Sequence, residues 1–75
     1  MAYTIKGLAK ANGCELLSKS ALADVWYYWI QCNCNDMQSV NDFNRLRKKD
    51  KKEMMDFLRR EEPEVANHIL ARIDF

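Results

Sequence analysis

Backbone punctuation is scarce in this chain. Its 75 residues include two glycines, Gly7 and Gly13, and one proline, Pro63. A sandwich or barrel needs a turn residue every few positions, so this shortage argues against an all-β fold and favours helices. Histidine occurs once, at His68, which excludes paired-histidine catalytic motifs. There is no glycine-rich phosphate loop and no nucleophile elbow. No run reaches the roughly 18 apolar residues of a membrane span, and residues 1–20 lack a signal-peptide core. The expectation is a cytoplasmic protein with no membrane partner. Cysteine is limited to Cys14, Cys32 and Cys34. An odd number cannot pair completely within one chain, which argues against a secreted disulfide scaffold.

What is present suits a globular domain. Apolar residues make up 48% and charged residues 31%, well away from the composition of a disordered chain. The length predicts a single domain over residues 1–75. A chain this short buries only about 60–65% of the surface that its unfolded form exposes, leaving little room for a deep catalytic pocket.

The spacing of apolar residues predicts an all-α fold, a compact bundle of four to five short helices. TIKGLAKAN places Ile5, Leu8 and Ala9 at helical spacing over residues 4–12, with Gly13 where a left-handed C-terminal residue belongs. Leu16 and Leu17 are expected to anchor the connector that follows. A second helix is expected from Ser18 or Ser20, both good N-caps. Its stripe is Leu22, Val25, Trp26, Trp29 and Ile30. A third helix is expected from about Asp36 to Lys48, with Asn35 and Gln38 as a capping box. Its apolar positions are Met37, Val40, Phe43 and Leu46. Asp50 and Glu53 offer a second capping box, so a fourth helix is predicted near Asp50, burying Met54, Phe57 and Leu58. The alternative is one continuous helix of about 25 residues. The break is favoured because the charged turns between Leu46 and Met54 have no apolar anchor. Pro63 suits the first turn of a last helix, whose stripe is Val65, Ala66, Ile69, Leu70 and Ile73. Glu61, Glu62 and Glu64 lie at its positive end, where acids are stabilising.

The most distinctive stretch is VWYYWIQCNC, residues 25–34, with four aromatics and two cysteines. Trp26 and Trp29 point with the apolar stripe and are expected in the core. Replacing Trp29 by Ala is expected to cost about 3–5 kcal/mol. Tyr27 and Tyr28 lie about 130° to either side of the stripe centre, towards Asp24 and Gln31. They are either covered by other helices or exposed as a docking surface, a use for which tyrosine is well suited.

Cys14, Cys32, Cys34 and His68 form a ligand set that zinc accepts. The spacing suits it poorly, with one Cys-x-Cys pair and no Cys-x-x-Cys, and His68 points away from its own stripe, so a zinc-stabilised module is the third and weakest reading. The expectation is therefore no metal, no cofactor and no catalytic residue. A Cys14–His68 catalytic pair would need a base within reach and an oxyanion site, and the sequence offers neither.

Net charge is +1 but unevenly spread. Residues 1–44 carry three bases and four acids, residues 45–60 eight bases and three acids, and residues 61–75 one base and four acids. The basic segment RLRKKDKK contains Arg45, Arg47, Lys48, Lys49, Lys51 and Lys52. Such a cluster can neutralise phosphates and release counterions, or meet an acidic protein surface. It is otherwise a solvated helix junction whose cations suit the C-terminal dipole of the third helix.

LAKANGC, residues 8–14, resembles the first helix and turn of helix-turn-helix repressors, which often read apolar–Ala–x–x–x–Gly–apolar. Leu8, Ala9, Gly13 and Cys14 hold those places. The resemblance covers about seven residues and implies a DNA-reading second helix. That helix instead carries Ala23, Asp24, Tyr27, Tyr28 and Gln31 outward, with one acid and no base after Lys19. No DNA-contacting residue is therefore carried over.

The expected function is a non-enzymatic interaction protein that binds a larger protein or nucleoprotein as an adaptor, regulatory subunit or steric inhibitor. Tyr27 and Tyr28 would anchor it, and Arg45, Arg47, Lys48, Lys49, Lys51 and Lys52 would steer it. The alternative is a nucleic-acid-binding protein using residues 45–52 or the helix-turn-helix-like N-terminal half. A homodimer would also cover the tyrosines.

Overall fold

Five segments with helical periodicity form five helices, as a computed structural model shows for residues 2–14, 18–32 and 36–73. They are α1 (Ile5–Ala11), α2 (Ser18–Cys32), α3 (Asp36–Arg45), α4 (Lys48–Glu61) and α5 (Pro63–Leu70). The expected anchors Leu16 and Leu17 and the expected cap Asn35 lie outside the described residues.

Local chemistry fixes the helix ends. Thr4 is extended and its Oγ1 accepts the Gly7 N–H at 2.9 Å, capping α1. At the other end Gly13 has φ +78. The Cys14 N–H reaches the Ala9 carbonyl at 2.7 Å and the Gly13 N–H reaches Lys10 at 3.0 Å. That pair of bonds is a Schellman motif, and it needs the left-handed residue that glycine supplies without strain. Pro63 opens α5 as expected. At the end of α5 the Arg72 guanidinium donates to the His68 carbonyl at 3.0 Å, satisfying one of the helix's last acceptors.

The break between α3 and α4 is real, but it falls earlier than the sequence suggests. α3 ends at Arg45 and α4 starts at Lys48, with extended Arg47 at its N-cap. Arg47 makes no side-chain capping bond. The cause is an intruding segment. Tyr3 forms an isolated parallel bridge with Leu46. Its N–H donates to the Arg45 carbonyl at 2.7 Å, and its carbonyl accepts from the Arg47 N–H at 2.9 Å. The junction residues satisfy their backbone groups against the N-terminal chain rather than within a continuous helix.

The core gathers residues from all five helices: Leu8, Trp26, Phe43, Met54, Leu58 and Ile69 are fully buried. Trp26 meets Phe43 edge-on, with centroids 6.2 Å apart at 70°, a favoured aromatic geometry. Its indole N–H finds no acceptor among the described residues. Trp29, expected beside it, is only half-buried and packs on the margin of the core. Val25 and Ile30 are half-buried too, because Ala23 turns inward with Leu22 and Trp26. The buried side of α2 is therefore rotated from the expected stripe centre. Met37, expected on the stripe of α3, is 50% exposed. Its place lies one turn before Val40, where a three-residue repeat has drifted off the core-facing side.

Helix α2 packs against each of the other four helices. It is the central element of a globule about 24 Å across in every direction.

Candidate functional site

Being central, α2 has a narrow outer face. Asp24, Tyr27, Tyr28 and Gln31 are exposed along it. Tyr27 is 38% and Tyr28 62% exposed, so the surrounding chain covers Tyr27 in part and leaves most of Tyr28 open. Among the described residues these two and Met37 are the large apolar side chains most open to solvent. The far end of this face is tied to α5, where the Gln31 amide reaches the Glu64 carboxylate at 3.3 Å. The second helix of the helix-turn-helix resemblance thus presents an acid and two tyrosines outward.

The basic segment divides into two parts with different surroundings. Arg45 stacks on the Tyr3 ring, its guanidinium carbon 4.7 Å from the centroid, and donates to the Tyr3 hydroxyl at 3.0 Å. It also lies 3.8 Å from Asp42. Arg47 pairs with Asp50 at 3.3 Å. Both arginines are therefore engaged in closing the N-terminal segment onto the α3–α4 junction.

Two buried carboxylates complete that closure. Asp42 is 2% exposed. It accepts from Gln38 at 2.9 Å and from Asn12 at 3.3 Å, linking α3 to the end of α1. Gln38 is thus engaged one turn onward along α3. Asp50, expected as a cap for its own helix, instead sits in the first turn of α4. Its Oδ2 accepts the Ile5 N–H at 2.8 Å.

Asp50 borders an open groove of about 550 Å³ where the first turns of α1, α2 and α4 meet. Three positive helix ends converge there, and carboxylates answer them. Asp50 holds Ile5 and Arg47. Glu53 pairs with Lys19 at 3.4 Å.

Lys48, Lys49, Lys51 and Lys52 behave differently. They begin α4 rather than ending α3, so their charges stand at the positive end of a helix, opposite to the expected arrangement. They line a second open groove of about 1010 Å³ together with Arg59. Among the described residues Asp56 is the acid on its wall, and Asn44 and Ile73 also line it. Among the described residues, none of these five cations pairs with a carboxylate. The sequence reading missed Arg59, although it follows Lys52 by seven residues and so returns to the same side of the helix.

The cysteines do not assemble. Cys32 is exposed, and the Cys14 Sγ lies 3.6 Å from the Asn12 carbonyl. Cys34 lies outside the described residues. Among the described residues no three His, Cys, Asp or Glu side chains converge as metal ligands, and no helix is long and apolar enough to cross a membrane. No protein-family model matches the chain, and no curated protein or solved structure is significantly similar to it.

Proposed function

We propose that the chain is a small, non-enzymatic interaction protein that docks on a larger protein or nucleoprotein, as an adaptor, regulatory subunit or steric inhibitor. The observation that carries this reading is the outer face of α2. Tyr27 and Tyr28 stay exposed on the helix that all the others grip. Exposed tyrosines on a rigid support bury area at low entropic cost, which is why such residues serve as interface anchors. A standard interface takes about 800 Å² per partner, roughly a sixth of the 4815 Å² surface of this chain. Catalysis finds little support, since the half-buried thiol of Cys14 faces a backbone carbonyl rather than a base.

The test is a photocrosslinking residue in place of Tyr28, with Lys10 on α1 as the control position, irradiated in extract of the source cell. A discrete adduct from position 28 alone supports the reading. An adduct of twice the chain mass identifies a homodimer instead. No adduct, or the same adducts from both positions, overturns the assignment. The paired change Tyr27→Ala and Tyr28→Ala should abolish the adduct partner's capture while the circular dichroism stays helical.

A further inference from the structure

The geometry points to the groove on α4 as a seat for the sugar-phosphate backbone of a nucleic-acid duplex, held without reading its sequence. The inference deepens the reading above, because it makes the target a nucleoprotein.

Three observations carry it. The first is charge. Lys48, Lys49, Lys51, Lys52 and Arg59 share one concave surface on which Asp56 is the single acid among the described residues. Phosphate is the complementary charge, and each neutralised phosphate releases counterions. The second is placement. Lys48 and Lys49 stand in the first turn of α4, where the helix dipole repels cations. An anion in the groove removes that penalty. Arg45 and Arg47, the neighbouring cations, are instead held by Tyr3, Asp42 and Asp50. The third is what the lining omits. No aromatic side chain lines this groove among the described residues, and single-strand binders rely on stacking aromatics. From Lys48 to Arg59 the helix rises about 16 Å, room for several phosphates of a duplex strand. Four of the five cations are lysines, which meet phosphate as mobile point charges rather than as a fixed fork, so the contacts position and do not specify.

The experiment is fluorescence anisotropy of the full chain with a labelled 20-base-pair duplex of random sequence, titrated from low to physiological salt. Three to five phosphate contacts predict a plot of log affinity against log salt with a slope of roughly −2.7 to −4.5, and a Kd of about 10⁻⁵ M near physiological salt. Lys52→Gln with Arg59→Gln should flatten the slope by about 2 and weaken binding at least about tenfold. Lys48→Gln with Lys51→Gln should do the same, guarding against a fault in one variant. Lys6→Gln with Lys10→Gln removes the same charge elsewhere and should change the slope little.

No binding at low salt overturns the inference. So does an equal effect from the Lys6 and Lys10 pair, which would mean charge alone rather than the groove. Tighter binding to a single strand, or equal competition by polyglutamate, overturns it in favour of another anionic partner. Tyr27→Ala with Tyr28→Ala should leave duplex binding intact. If duplex binding fails while tyrosine-dependent capture survives, the groove assignment falls and the docking reading stands.

Discussion

The carboxylate of Asp50 accepts the backbone N–H of Ile5 at 2.8 Å, across 45 positions of chain. Ile5 is the first residue of a seven-residue helix whose amide has no partner within its own helix. A side chain from α4 therefore caps α1. Asp50→Ala should leave a buried donor unpaired and cost about 1–3 kcal/mol. Asp50→Asn keeps an acceptor and should cost less. Urea midpoints of the two variants check this, and an unchanged midpoint for Asp50→Ala would remove the long-range cap.

The two tryptophans should separate cleanly. Trp26 is fully buried against Phe43, and Trp26→Ala should cost about 3–5 kcal/mol. Total stability for a chain of this size is only about 4–11 kcal/mol, so that variant should be close to unfolded. Trp29→Ala should cost at least about 1 kcal/mol less, because Trp29 keeps contact with solvent already. Guanidinium titrations of both would show it, and equal losses would contradict the burial difference.

Gly13 should tolerate volume but not a Cβ-bearing backbone. A Cβ there meets nothing within 4 Å, yet φ is +78. Gly13→Ala should cost about 1 kcal/mol through backbone strain alone. Gly13→Asn should cost less, since Asn visits the left-handed region more readily. Thermal midpoints of the pair would expose the ordering.

Within the basic segment, stability and charge should part company. Arg45→Ala loses the stacking on Tyr3, the bond to its hydroxyl and the ion pair with the buried Asp42, for a drop of about 1 kcal/mol. Lys48→Gln relieves repulsion at the start of α4 and should gain about 0.3 kcal/mol at low ionic strength. Denaturation at low and high salt would test both, since the Lys48 gain should fade with salt while the Arg45 loss, which includes a ring contact and a hydrogen bond, should fade only in part.

Periodicity and caps made most of the fold legible. The Leu22–Ile30 spacing, Gly13 and Pro63 each marked an element that the structure contains. The missing apolar anchor after Leu46 marked the break before α4. What eluded the sequence is what depends on distant chain. Asp50 followed by Glu53 looks like a local capping box, and nothing in its neighbours reveals that its partner is Ile5. Arg45 and Arg47 look like their lysine neighbours until Tyr3 is seen to hold one and Asp50 the other. Trp26 and Trp29 differ by one helical turn, and only the packing of the remaining helices decides which is enclosed. Tyr27 and Tyr28 were separable from the core by angle alone, but their exposure followed from how the other helices are arranged.

The short bridge between Tyr3 and Leu46 also governs how the chain comes apart. Helix α1 is too short to persist alone, and its start is fastened to residues more than 40 positions away. Together with the Leu8 and Ala9 packing on α2, that fastening holds the arm in place, and we expect residues 3–11 to detach as one cooperative unit before the α2–α5 body melts. In amide exchange, the Tyr3, Ile5 and Arg47 protons should therefore share one opening free energy, lower than that of the core amides in α4.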